Sequence, residues 1–249
     1  MTQDLVIFAP GSMTHLLPRL LKAYDPQQTL KIQCVFGPSG SLRAKIEGGQ
    51  LFHLFLSASS THTKALSATN HLAEEDILGY NRMVLVHQRK HQLNQNNALQ
   101  VITQKSLTLG MSTTGLDPAG DYAFEILKKV SDATTISLET LERRTRVITG
   151  GRETPNAPPG RNQYGWIMET QNVDLLLTYY SNALAAMEDN PHISYCELPE
   201  QIAVTGIYGI GRANVSYREA SALYHWFFST DAQIILKDGG FIPKSAGEK

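Results

Sequence analysis

The chain has 249 residues, 42% of them apolar, with 22 Lys and Arg against 23 Asp and Glu and a formal net charge of −1. That is enough apolar side chain for two α/β lobes with real cores, and the balanced charge lacks the basic footprint that nucleic acid demands. No apolar run reaches the roughly eighteen residues needed to span a bilayer, and no basic and apolar leader precedes the first strand; the chain reads as cytosolic or as a mature exported form. Cys34 and Cys196 stand far apart without a CxxC and read as buried small apolar residues, and the eight histidines form no HxxH or HExxH pair that would support a zinc site.

The first predicted element is Leu5 to Phe8, a continuous apolar run as in a strand covered on both faces. Ala9, Pro10 and Gly11 break it, and Ser12 stands at an N-cap position ahead of Met13, Leu16, Leu17, Leu20 and Leu21. This predicts a helix beginning at Ser12, with its first N–H groups and a hydroxyl aimed above the strand's carboxyl end, a seat for an anion. A serine cap can equally do no more than stabilise its helix by about 1 kcal/mol. The device recurs, however: Ile32 to Phe36 is a second apolar strand, followed by Gly37-Pro38-Ser39-Gly40-Ser41 before Leu42 and Ile46. Adjacent parallel strands would place Ser12 and Ser39 on one sheet edge, where open α/β sheets bind ligands.

Leu51 to Leu56 is a third strand, with a polar turn, Ser57 to Thr61, opening a helix to Leu66. Ala73 to Leu78 reads as a short helix or turn, Arg82 to His87 as a strand, and His91 to Asn97 as an exposed loop. The pattern then restarts with strand Leu107 to Met111, a long turn from Ser112 to Gly120 and a helix from Asp121 to Val130, whose acidic first turn follows Ala119 and Gly120. Leu138 to Val147 reads as helical, and Ile148 to Gln163 as a Gly- and Pro-rich loop. A helical stretch begins at Tyr164, and a buried strand runs from Val173 to Tyr179. Helix Ala183 to Met187, strand His192 to Leu198 and the long strand Ile202 to Ile210 follow, and helices Ser216 to Phe228 and Ala232 to Lys237 close the chain. The outline is two α/β lobes joined by two crossings around a cleft.

Six motifs in order, covering Leu5 to about Pro243, make the chain resemble the periplasmic molybdate-binding proteins of ABC importers. They are Ala9 to Ser12, Phe36 to Leu42 (F-x-x-S-x-S-L) and Leu54 to Ala58 (L-F-x-S-A). Then come Asp117-Pro118-Ala119-Gly120 with Tyr122-Ala123, Tyr179 ahead of Ser181-Asn182-Ala183, and Ala232 to Phe241. The resemblance implies the α/β, two-lobed periplasmic binding protein type II fold, each lobe a mixed sheet flanked by helices. Residues 1–82 and 204–249 would form lobe one and 83–203 lobe two, with hinge crossings near residues 81–83 and 203–206. It implies no cofactor and no catalysis, but capture of molybdate or tungstate and delivery to an inner-membrane permease by a periplasmic protein whose leader has been removed. Molybdenum would enter only as the bound oxyanion, held through Ser12, Ser39 and Tyr179. The implied cage adds backbone N–H groups at Ala119 and near Arg161, with Gly11, Gly120, Arg152 and Asn162 as further candidates.

Two departures from the family point elsewhere. His53 and Ser59 stand where the family carries acidic residues, and the basic loop of residues 149–163 is longer than the family's. A rival reading is therefore a small organic anion, a carboxylate or phosphate ester, forked by Arg152 or Arg161. A rival of another class is a hydrolase with Ser12 or Cys34 as nucleophile, for which His15 is the nearest base to Ser12. A third is the effector-binding lobe pair of a transcription regulator, which needs a fused DNA-binding partner.

Overall fold

A computed structural model describes residues 4–151 and 154–244. The chain divides into two compact units, Met1–Asn81 with Ile207–Lys249, and Arg82–Gly206. The first opens with β1 (Leu5–Pro10), α1 (Leu17–Tyr24), β2 (Ile32–Gly37), α2 (Ser39–Glu47), β3 (Leu54–Ser57) and α3 (Ser60–Ala68). Strand β4 (Leu72–Gln88) carries the chain into the second unit, which holds α4 (Gln95–Ile102), β5 (Leu109–Ser112), α5 (Pro118–Ala133), α6 (Leu138–Arg144) and β6 (Thr145–Thr149). There follow α7 (Gln163–Thr170), β7 (Leu175–Tyr179), α8 (Tyr180–Asp189) and β8 (Ile193–Glu197). Strand β9 (Thr205–Ala213) returns to the first unit, which α9 (Arg218–Trp226), α10 (Thr230–Asp238) and β10 (Ile242–Pro243) complete.

In the first unit β1 lies between β2 and β3, parallel to both, with Pro10 opposite Gly37 and Ile7 opposite Leu54. A strand so flanked buries every residue, which is why its sequence is a continuous apolar run rather than an alternation. Its neighbour β2 pairs with β1 alone and is half-exposed, as an edge strand is. Val6, Phe8 and Phe55 pack against Leu42 and Ile46 of α2 and Leu66 of α3. Strand β9 runs antiparallel beside β3, with Gly209 opposite Ser57.

In the second unit β5 is flanked by β6 and β7, both parallel to it. The far half of β4 pairs antiparallel with β7 on one side and β8 on the other. Val84, Val86 and Leu176 pack against Ile167 of α7 and Ala183 and Ala186 of α8.

Three expectations are corrected. Ala73 to Leu78 is not a helix, because β4 runs unbroken for 17 residues and pairs with β10 at Gly79 and Tyr80. The segment from His91 to Asn97 is not wholly loop: Asn94 and Asn97 form a reciprocal capping box that starts α4, which buries only Ala98, Val101 and Ile102. Helix α6 stops at Arg144, and Thr145 to Thr149 continues as β6, where the β-branched Thr145, Val147 and Thr149 meet the partner strand β5.

His53 joins the first unit's backbone to its core. Its Nδ1 accepts the Val6 N–H at 2.9 Å, its own N–H donates to Val6 O at 2.8 Å, and its ring lies 4.5 Å from that of Tyr217. An accepting Nδ1 leaves the proton on Nε2, and burial holds the imidazole pKa below its ordinary 6.5. Burial likewise lowers the pKa of His87, whose Nδ1 lies 2.9 Å from Gln88 O. Below about pH 6.5 the unfolded chain therefore binds protons that the native chain refuses, so stability is complete above that pH and declines as pH falls toward the lowered native values. The denaturation midpoint should drop between pH 7.5 and 5, and less steeply in His53→Gln; a flat wild-type profile refutes the assignment.

Candidate functional site

The parallel order of β1, β2 and β3 brings their carboxyl ends, and the turns that follow, to one edge of the first unit. The turn after β2 leads straight into α2. Ser39 is its first residue, fully buried, and its Oγ accepts the Ala58 N–H at 3.0 Å, tying the turn after β2 to the turn after β3. With that lone pair engaged, the Ser39 hydroxyl proton is left to donate. The first bond of α2 runs from Leu42 N to Pro38 O, so the amides of Ser39, Gly40 and Ser41 precede the helix's own ladder. Ser59 caps α3 by accepting from Thr61 N.

Ser12 is placed differently from expectation. Gly11–Met13 is a single 3-10 turn, α1 begins only at Leu17, and Ser12 caps neither. The apolar spacing from Met13 onward continues through this turn, and Pro18, in the first turn of α1, is the truer start signal. The Ser12 hydroxyl instead lies 2.7 Å from the hydroxyl of Tyr208 on β9, whose pairing with β3 sets that tyrosine beside the same edge. Gly11 is exposed, and a Cβ added to it would meet nothing within 4 Å.

In the second unit the carboxyl ends of β5, β6 and β7 likewise share an edge. Helix α5 begins at Pro118, not Asp121, with Asp117 as its N-cap: Oδ1 accepts the Ala119 N–H at 3.2 Å, and Oδ2 accepts from the Ser112 hydroxyl at 2.5 Å. The Gly120 N–H donates to Asp117 O at 2.8 Å. The Ala119 and Gly120 amides, expected to face a ligand, are thus engaged inside the unit. Desolvation raises the Asp117 pKa above the usual carboxylate range against the pull of its hydrogen bonds, and a Cβ on Gly150 would lie 2.9 Å from its Oδ2. Burial, with Asp117 nearby, also pushes the Tyr164 phenol up, while Thr178 and Asn182 hydrogen-bond it. Tyr179, ending β7, is buried with its ring edge-on to Tyr122 at 6.2 Å.

The loop residues go elsewhere. The Arg161 guanidinium forks onto Asp189 through Nε at 2.9 Å and reaches Glu169 at 2.5 Å, and these partners hold it well above its ordinary pKa. Its backbone N–H donates to Pro158 O at 3.1 Å. The Arg161 side chain thus holds two carboxylates, and its amide is engaged within the loop. Asn162 caps α7, accepting from Tyr164 N and Gly165 N. Arg152 lies outside the described residues. Arg161→Ala should lower the melting temperature and leave anion affinity within about twofold, because the residue acts on α7 and α8 and not on a ligand; a loss of affinity in titration calorimetry would return it to the site.

Among the described residues no group of three or more His, Cys, Asp and Glu could hold a metal ion, and no helix is long and apolar enough to cross a membrane. Cys34 and Cys196 are free thiols, both pushed up to about 11 by burial.

Two α/β units are joined by β4 and β9, each with polar turns at the carboxyl ends of parallel strands. The chain belongs to the bacterial extracellular solute-binding protein family, which it matches over residues 5–242. It is 28% identical over 239 residues to the uncharacterized protein PM1146 of Pasteurella multocida, covering 95% of this chain and 98% of that one. Among solved structures it is similar to the periplasmic molybdate-binding protein of Azotobacter vinelandii (TM-score 0.76, 16% identity, 97% and 100% coverage). It is also similar to Campylobacter jejuni PEB3 with L-phospholactate bound (TM-score 0.71, 14% identity, 97% and 100% coverage). The fold is the mixed α/β, two-lobed type II periplasmic binding protein fold.

Proposed function

We propose that this chain is the periplasmic solute-binding component of an ABC importer, taking a tetrahedral oxyanion and delivering it to a permease without chemical change. The observation that carries the reading is Ser39: a buried hydroxyl at the first turn of α2, its acceptor side filled by Ala58 N–H, beside amides that precede the helix ladder. Hydroxyls and helix-terminal amides share out an oxyanion's charge without needing a cation. Ser12 and Ser39 of the first unit are the donors this reading assigns to the ligand. Molybdate and tungstate are the favoured ligands, supported by the similarity to the Azotobacter vinelandii protein. The Ser12 hydrolase finds no support, since the hydroxyl's partner at 2.7 Å is a phenol and not an imidazole or carboxylate that could serve as general base.

A second reading, a phosphate monoester whose head group occupies the same donors, is favoured by the similarity to PEB3 with L-phospholactate. A thermal-shift panel of molybdate, tungstate, sulfate, phosphate and phospholactate separates the two, because a ligand that binds only the native state raises the melting temperature by mass action. Molybdate and tungstate should give the large shifts. A shift with phospholactate alone selects the second reading, and none with any anion overturns the proposal.

A further inference from the structure

We infer that Tyr208 is a positioning residue for oxyanion binding, one that fixes the Ser12 hydroxyl as a donor; the inference rests on the oxyanion reading proposed above. Tyr208 is fully buried and lies on β9, one residue before Gly209, which pairs with Ser57 at the carboxyl end of β3. Its ring packs edge-on to Phe241, centroids 4.8 Å apart at 84°. Its hydroxyl lies 2.7 Å from Ser12 Oγ. Either hydroxyl can donate at this distance; because a phenol is a much stronger acid than an aliphatic alcohol, the phenol is assigned as donor and the serine as acceptor. The Ser12 proton is then turned away from Tyr208, and the serine is polarised into a better donor.

Ser39 is in the same chemical state by another route, since its acceptor side is filled by the Ala58 N–H at 3.0 Å. The two serines reach a common polarity from unrelated partners, a side chain 196 positions away in one case and a backbone amide in the other. A set of hydroxyls that each have one of two lone pairs engaged offers protons and fewer acceptors. It suits an anion whose oxygens carry no hydrogen and disfavours one that must donate. Without the Tyr208 hydroxyl, Ser12 could rotate and serve as donor or acceptor, losing that polarity.

The test is a double-mutant cycle read by titration calorimetry with molybdate, the full chain being used throughout. Tyr208→Phe keeps the ring and its packing on Phe241 and removes only the hydroxyl. It should weaken molybdate binding about three- to tenfold in the wild-type background and less than about twofold in Ser12→Ala, while keeping its full effect in Ser39→Ala. Fluorotyrosine inserted at position 208 guards against a fold defect, because it keeps the shape and ionises nearer neutrality. Its affinity should fall as the phenol ionises, and should not do so in Ser12→Ala. Equal losses from Tyr208→Phe with and without Ser12, or none, overturn the inference and leave the oxyanion reading standing. Failure of the wild-type chain to bind molybdate, tungstate, sulfate, phosphate or phospholactate overturns both.

Discussion

Gly120→Ala is expected to destabilise the protein by about 3 kcal/mol, at the upper end of what overpacking costs, because the added methyl group meets backbone and not a side chain that can swing away. Its Cβ would lie 2.5 Å from the carbonyl carbon and oxygen of Thr113 and 2.7 Å from the carbonyl oxygen of Ser112. Those atoms are fixed in turn: Thr113 donates its N–H and its hydroxyl to Thr149 O, both at 3.0 Å, and Ser112 Oγ is held by Asp117. Helix α5 cannot retreat from the methyl without drawing Asp117 off Ser112, so the packing defect and the loss of a partly buried hydrogen bond arrive together. At about 2–4 °C per kcal/mol for a chain of this size, the melting temperature should fall by roughly 6–12 °C. Gly11→Ala is the control, since nothing lies within 4 Å of its added Cβ and the midpoint should hold. A Gly120→Ala midpoint within 2 °C of wild type, on the order of the smallest shift a kcal/mol gives, would show that the close approach of α5 to β5 is not the constraint described.

The same helix shows what was legible in the chain and what was not. Asp117-Pro118 carries both halves of a helix start, an acceptor at the cap and a proline at the first position, yet the acidic residue at 121 draws the predicted start three residues late. That small slip hides the bonds by which Asp117 engages the Ala119 and Gly120 amides. The parallel pairing of β1 and β2 was readable because both strands are apolar runs closed by glycine and serine turns, and local pattern suffices there. Strand β4 was not, because Glu74, Glu75 and Asp76 break its apolar alternation while Arg212, Thr63 and Lys244, distant in sequence, satisfy them. Nor could spacing reveal Tyr208 beside Ser12 or Asp189 beneath Arg161; those contacts exist only once the sheet has closed.

Ser39→Ala is expected to weaken oxyanion binding by about 1.5–3 kcal/mol, the worth of a hydrogen bond to a charged group, or roughly ten- to a hundredfold in Kd. Ser39 should matter more than Ser12, because it is fully buried at the head of a nine-residue helix whose first amides point the same way, whereas Ser12 sits in a single 3-10 turn. The substitution also strips the acceptor from Ala58 N–H, so some loss of stability must accompany it, and titrations belong well below the melting temperature to keep the two effects apart. The ligand's identity does not alter the expectation. Molybdate and the head group of a phosphate monoester present the same deprotonated oxygens to the same hydroxyl, so both should lose affinity by a similar factor. A ligand that binds wild type and Ser39→Ala equally well must be held by some other part of itself, and the first turn of α2 would then be a structural cap rather than a seat for anions.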